Sequence, residues 1–294
     1  MNSPLPKAQE IVDNFHQNYE NWVVVIRWAT ATWKTWLSVA LSETLPMEVI
    51  SSDSRQVYRY MDIWTDKIES KIREKVPHHL IDIINPDESY TAWQWKQDTV
   101  ELIPQIQARN NIPFIVGGTG LYIDMIYKNF TMPDVSPQWE RREKKMLEEE
   151  QSPGLLHQEL FRVDPEEAQK HHPNSLRYII RALEIYEFSG KPKSERSKQL
   201  PVQWPLLMLW LRREKEETNR RINQRIKEMM KWGLIEEVEM LLQKWHSPDL
   251  QSMQGIGYKE IVGYLQNEYS LEKAEELLKR NTHHLAKKQR TRFR

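Results

Sequence analysis

The stretch from Trp22 to Glu43 constrains the chain most. Trp22-Val23-Val24-Val25-Ile26 is an apolar run that reads as a short buried strand, and Leu37-Ser38-Val39-Ala40-Leu41-Ser42-Glu43 reads as a helix. Between them lies Arg27-Trp28-Ala29-Thr30-Ala31-Thr32-Trp33-Lys34-Thr35. Strand, loop, helix is the setting of a phosphate-binding loop. That loop needs GxxxxGK followed by Ser or Thr: glycines let backbone N–H groups wrap phosphate oxygens, Lys adds charge, and the hydroxyl meets Mg2+. Lys34 and Thr35 are present, but both glycine positions, 28 and 33, hold tryptophan. Glycine permits close ligand approach and backbone angles that a Cβ resists, so two indoles would fill the cradle. On these residues alone, a phosphate site and a chance Lys-Thr pair both stand.

At 294 residues the chain has ample length for a packed core of one large or two smaller domains. No apolar run approaches membrane-spanning length, and the first 22 residues have no apolar stretch of the signal-peptide kind. The expectation is a cytoplasmic protein with no membrane partner. The absence of cysteine agrees and excludes disulfides, thiolate zinc sites and cysteine nucleophiles. Basic and acidic residues balance at 42 each, but their placement is uneven. No acid follows Glu276, whereas Lys279, Arg280, Lys287, Lys288, Arg290, Arg292 and Arg294 accumulate there with His283 and His284. Such an end is either a solvated helix face or an electrostatic footprint for phosphate backbones.

Short apolar strands alternate with helices through the N-terminal third: Val23–Ile26, a helix from Lys34, Glu48–Ser51, a helix over Gln94–Arg109, then Ile112–Val116 running into Gly117-Gly118-Thr119-Gly120. This order predicts an α/β fold, a parallel sheet flanked by helices, with ligands at the carboxyl ends of the strands. From about Thr131 to Pro201 the pattern becomes charged amphipathic helices (Glu140–Glu150, Gly154–Phe161, Ser175–Phe188), which reads as an all-helical insertion. Leu206–Leu209 returns to the sheet, and a helical, charged C-terminal region follows from Glu214. The expected organisation is an extension over 1–22, an α/β core over 23–130 plus 202–294, and an inserted helical domain over 131–201.

After the second strand comes Ser52-Asp53-Ser54-Arg55-Gln56-Val57-Tyr58. A carboxylate at a strand's carboxyl end, close to a phosphate loop, can accept a proton or help hold a metal. The pairs His78-His79, His171-His172 and His283-His284 are poor zinc candidates, because adjacent side chains diverge while metal pairs favour i, i+4 spacing.

From Val23 to Arg294 the sequence resembles the tRNA dimethylallyltransferase family, also called tRNA isopentenyltransferases or IPP transferases. The resemblance rests on ATATxKT at 29–35, ISSDSRQVYRYMDI at 50–63, VPHHLIDI at 76–83 and VGGTGLY at 116–122. It continues with IIRALEIYEFSGKP at 179–192, RINQR at 221–225, GLIEEV at 233–238, GIGYKE at 255–260 and the terminal KRNTHHLAKKQRTRFR. It implies a P-loop NTPase-like sheet, with a nucleotide-binding (ATP-type) loop put to a different use. The activity implied is transfer of a dimethylallyl group from its diphosphate to N6 of adenosine-37, next to the tRNA anticodon, with release of diphosphate. The implied diphosphate loop is Trp28, Ala29, Thr30, Ala31, Thr32, Trp33, Lys34 and Thr35, with Mg2+ at Thr35; Asp53 is the implied general base, and Thr30 and Arg225 are implied catalytic residues at the diphosphate. Asp53, Ser54, Arg55, Gln56, Thr119, Arg141, Arg177, Tyr178, Ile179, Ile180 and Arg181 are the implied contacts of the anticodon stem-loop. A monomer is expected. The family usually carries a little more chain after its TxFR-like segment, so a C-terminal truncation is an expectation too. Three rival readings stay open: a P-loop nucleoside or small-molecule kinase, a prenyl transferase acting on free adenine nucleotides, and an inactive RNA-binding homologue.

The family expects glycine at 28, 33, 64 and commonly 245, and all four are tryptophan here; Trp36, Trp210 and Trp232 also stand where small residues would be comfortable. Twelve tryptophans exceed nine glycines. Independent mutations would scatter among residue types, so the pattern implies one cause: UGA codons translated as tryptophan where the cell reads glycine. The gene then carries UGA at codons 28, 33, 64 and 245, and UGG at those codons ends the idea. For the polypeptide as written, weak binding of dimethylallyl diphosphate is expected. Titration should show binding restored by Trp28→Gly with Trp33→Gly.

Overall fold

A computed structural model describes residues 5–27, 34–129, 139–196, 200–210, 213–245 and 247–292, with the side chains of 34–36, 139, 140 and 196 excepted. Loop residues 28–33 lie outside the described residues, as do the side chains of Lys34 and Thr35. The chain divides into two compact units, Met1–Asp124 with Trp204–Arg294, and Met125–Gln203. The division falls a few residues outside the expected insertion limits of 131 and 201.

The first unit opens with α1 (Leu5–Asn18), β1 (Val23–Arg27), α2 (Lys34–Ser42), β2 (Met47–Ser51), α3 (Ser70–Lys75) and β3 (His78–His79). It continues with α4 (Ala92–Ala108), β4 (Ile112–Gly117) and the start of α5 (Gly120–Tyr127). Five strands form one sheet in the order β3-β2-β4-β1-β5, where β5 is Leu206–Trp210, and every pairing is parallel. Register sets Ile26 opposite Val116 and Ser51 opposite Val116 on the other side, so the strands end level beside one another. The central strands β1, β2 and β4 are buried at every position, the pattern of a parallel sheet covered on both faces. Two elements go beyond the expectations from sequence. The extension contains a helix, α1, because Ala8 and Val12, four residues apart, face the sheet core. The two-residue β3 was missed because two histidines carry no strand periodicity.

Helix α4 begins at a capping box: Thr91 Oγ1 accepts from Gln94 N at 3.1 Å and Gln94 Oε1 accepts from Thr91 N at 2.8 Å. It presents Trp95 to the sheet. At the opposite edge of the strands, the buried Glu48 carboxylate takes both arms of the Arg109 guanidinium at 2.7 Å, Asn111 Nδ2 at 2.8 Å and His79 Nε2 at 2.6 Å.

The second unit contains α6 (Trp139–Gln151), α7 (Leu155–Val163), α8 (Pro165–Gln169), α9 (Leu176–Ser189) and α10 (Lys193–Arg196). Its core joins Leu156, Leu160, Ala168, Ile179, Ile180, Ala182 and Leu183. Asp164 caps α8 by accepting from Glu167 N at 3.1 Å, and α9 stops at Gly190 in a left-handed turn, φ 65°. The chain then returns through β5 to α11 (Lys215–Lys231), α12 (Leu234–Trp245), α13 (Tyr258–Leu265) and α14 (Leu271–Arg292) in the first unit. Among the described residues no helix is long and apolar enough to cross a membrane.

The Glu48 contacts, the Arg109 guanidinium foremost, hold its carboxyl at about 2 against an ordinary 4.5. A depressed folded-state value stabilises above the ordinary one and is lost as pH falls toward the folded one. Stability from urea unfolding should therefore drop between pH 4.5 and about 2, and Glu48→Gln should flatten that dependence. At neutral pH Glu48→Ala should cost about 2 kcal/mol, below a fully buried pair because Arg109 is half exposed.

Candidate functional site

The site is built where β2 and β4 end. Ser52, fully buried, donates its N–H to Val116 O at 2.8 Å and accepts from Thr119 N at 3.0 Å. A Cβ on Gly117 would lie 2.3 Å from Ser52 O, so only glycine lets the two backbones meet here. The turn after β4 then reaches the turn after β2: Thr119 Oγ1 accepts from Ser54 N at 3.0 Å. Asp53 Oδ1 accepts from Arg55 N at 2.9 Å, a local turn that a short carboxylate closes on its own backbone. Its Oδ2 has no protein donor among the described residues. Below this pair of turns, the buried Trp95 donates Nε1–H to Ser51 O at 2.8 Å and stacks on Tyr122 at 4.5 Å between ring centres. Burial foremost, with Tyr58 and Asp53 nearby, pushes the Tyr122 hydroxyl up, so that it stays protonated.

Arg55 and Gln56 hold the segment's shape. The Arg55 guanidinium donates to the carbonyls of Gln251 at 2.7 Å and Ser252 at 3.3 Å. Gln56 accepts from Ser51 Oγ at 2.8 Å and donates to Thr65 O at 3.0 Å. Gly255 must stay small, since a Cβ there would sit 2.9 Å from Arg55 Nε. Arg225, on α11, pairs with Asp66 at 3.2 Å, at the far end of the same segment. The C-terminal helix reaches the site as well: Gln289 Nε2 donates to Gly118 O at 2.9 Å, and Arg292 pairs with the half-buried-to-buried Asp124 at 2.6 Å. The basic end of α14 is therefore in part a wall of the β4 turn.

The structure thus brings together Asp53, Ser54, Arg55, Gln56 and Thr119. Trp28, Ala29, Thr30, Ala31, Thr32 and Trp33 lie outside the described residues; Lys34 and Thr35 open α2, which follows β1 at the same sheet edge. Arg141, Arg177, Tyr178 and Arg181 belong to the second unit. Arg141 and Arg177 are exposed; Tyr178 is 58% exposed and stacks on His171 at 5.0 Å. Arg181 Nη1 lies 3.2 Å from the buried Glu184 carboxylate, which Arg142 also grips. Ile179 and Ile180 are corrected: both are buried in that unit's core, because the helical period turns 179, 180 and 183 inward and 177, 178 and 181 outward. Trp95 and Gln289 were missed as site residues. Gln289 stands inside the resembling C-terminal block, but nothing in its spacing points at Gly118.

Comparison with known proteins places this geometry. The family model described as IPP transferase matches residues 56–294. A tRNA dimethylallyltransferase of Pelotomaculum thermopropionicum is 43% identical over 280 residues, 95% of this chain and 89% of that protein. One from Thermotoga maritima is 40% identical over 267 residues, covering 91% and 87%. Among solved structures, the tRNA isopentenylpyrophosphate transferase of Bacillus halodurans superposes with TM-score 0.68 at 39% identity, covering 93% of this chain and 87% of that one. A eukaryotic dimethylallyltransferase acting on tRNA superposes with TM-score 0.78 at 30% identity, covering 92% and 69%.

The Gly117–Ser52 contact carries its own test. Gly117→Ala must push the β2 turn away, and should lower stability by about 1–3 kcal/mol in thermal unfolding.

Proposed function

The chain belongs to the IPP transferase family, and from that premise we propose that it transfers a dimethylallyl group from dimethylallyl diphosphate to N6 of adenosine-37 in the tRNA anticodon loop. The observation that carries the reading is Asp53, held half buried at the carboxyl end of β2 by its own turn and by Thr119 on Ser54, with one carboxylate oxygen open to a ligand. In the reaction the N6 amine attacks the allylic C1, the C1–O bond to diphosphate breaks, and the N6 proton passes to the Asp53 carboxylate. Loop amides from 28–33 with Lys34 and Thr35 suit the leaving diphosphate, as does Arg225, one helix turn beyond Arg221 on α11. Thr30 adds a hydroxyl to that loop.

Among the described residues no group of three or more His, Asp or Glu could hold a metal ion. A divalent cation such as Mg2+ would accordingly take diphosphate oxygens and the Thr35 hydroxyl as ligands, a hard-oxygen set that suits it, and would neutralise charge on the leaving group.

The target base must leave its stack to reach a carboxylate at this depth. Arg55 and Gln56 contribute through the shape they impose on the segment that meets it. In the second unit, the exposed Arg141 and Arg177 offer charge to the phosphates of the anticodon stem-loop, Arg181 stands beside them paired with Glu184, and Tyr178 offers a flat exposed ring. The basic face of α14 adds charge without reading sequence. A cytoplasmic monomer is the accompanying expectation.

Transfer of labelled dimethylallyl groups should be assayed with an anticodon stem-loop and with AMP, using the full chain carrying Trp28→Gly and Trp33→Gly. Label is expected on the stem-loop alone, and Asp53→Asn should reduce kcat about 10²–10⁴-fold, the share of a general base. Label on AMP instead would move the reading to a free-nucleotide transferase. Tight stem-loop binding with no transfer would make the protein an inactive RNA-binding homologue.

A further inference from the structure

Glu237 has no part in the chemistry above, yet its buried carboxylate is among the most fully used groups near the site. Oε2 accepts the backbone N–H groups of both Asp62 and Ile63 at 2.9 Å, and Oε1 accepts the hydroxyl of the fully buried Tyr258 at 2.9 Å. These bonds lie in a buried environment, where an unmet N–H is costly. The two amides belong to the segment that starts at Ser52 and carries Asp53. Its near end is pinned by Thr119 and its middle by backbone bonds to residues 82–84; its far end is held by side chains, Glu237 of α12 on the amides of Asp62 and Ile63, Lys67 on Asp62 and Arg225 on Asp66.

Neighbouring contacts run the same way. The stretch leading into α13 lies along the segment: Arg55 donates to Gln251 O and Ser252 O, and Ser252 Oγ donates to Pro86 O at 2.7 Å. Gly257, at φ +101°, is overlaid by the Trp64 indole so closely that a Cβ would lie 2.2 Å from it. Lys67 Nζ joins Asp62, Asp82 and Tyr58 O. Displacing Asp62 and Ile63 would shift Trp64 against Gly257 and strain the stretch that runs back, through the backbone bonds of 56–59 to 82–84, to Arg55 and Asp53.

We propose that Glu237 and Tyr258 are positioning residues for the transfer reaction, holding the 52–66 segment so that the Asp53 carboxylate meets the amine. The inference rests on the transferase reading. It assigns the pair an effect on the chemical step and little effect on RNA binding, since neither side chain is exposed to a ligand.

Two measurements test it. In the full chain as written, amide exchange followed by mass spectrometry should be faster at Arg55–Tyr58 in Glu237→Ala than in the parent; unchanged exchange there overturns the proposal whatever the activity. In the background of Trp28→Gly with Trp33→Gly, Glu237→Ala should lower kcat about 100-fold, the cost of misplacing a catalytic group by about 1 Å, with the stem-loop KM within about threefold. Glu237→Gln, which can still accept both N–H groups, should return to within about fivefold of the parent, and Tyr258→Phe should fall about tenfold. A loss residing in KM, or a Gln variant as deficient as the Ala variant, overturns it. If Glu237→Ala does not fold, Tyr258→Phe is read for the same split. If the parent transfers nothing, the transferase reading has failed, and the exchange measurement alone decides whether the pair positions the segment.

Discussion

The structure depends on one close contact, that of Gly117 with the carbonyl of Ser52. Two parallel strands that end level would normally leave their turns a side chain's width apart. Without a Cβ at 117 the backbones touch, Thr119 bonds into both residues 52 and 54, and the turn after β4 supports the turn that holds Asp53. Three further contacts gather at this pair of turns: Trp95 through Ser51 O, Gln289 through Gly118 O, and Arg55 through the backbone before α13.

That arrangement explains a division of labour among residues that look alike in sequence. In the run Ser52 to Gln56, Asp53 keeps a half-buried carboxylate oxygen without a protein donor among the described residues and Ser52 keeps a fully buried hydroxyl without a partner, while Arg55 and Gln56 are committed to carbonyls and to Ser51. The second unit shows the same split in the run 177–181. Arg177 and Tyr178 are outside, Ile179 and Ile180 make core, and Arg181 shares the buried Glu184 with Arg142. A motif thus mixes residues that meet the ligand with residues that keep those in place, and burial separates the two.

The tryptophans also sort by surroundings. Trp95 and Trp22 are buried, and each donates its indole N–H, Trp95 to Ser51 O and Trp22 to His16 Nδ1 at 3.3 Å, as a large aromatic in a core should. Trp232 and Trp210 are instead more than half exposed, and Trp245 rests against Tyr60 with Lys244 over its ring. Trp64 fits only because Gly257 opposite it has no side chain. The contrast agrees with two populations, one required by packing and one tolerated at positions where a glycine would do.

Sequence by itself determined the class of fold and the family, and it raised the expectations of a helical insertion and of Asp53 at a strand end. Each of these is local: a buried strand has an apolar run, a helix has its period, and a motif is contiguous. Only the tertiary structure decided which motif residues are bonded within the protein, that α1 joins the sheet core, and that Glu237 with Tyr258, Trp95 and Gln289 bond to the backbone around the candidate site. Their partners lie far away along the chain, as Gln289 does from Gly118 and Glu237 from Asp62, and no periodicity or spacing encodes a hydrogen bond between elements that meet only after the sheet has formed.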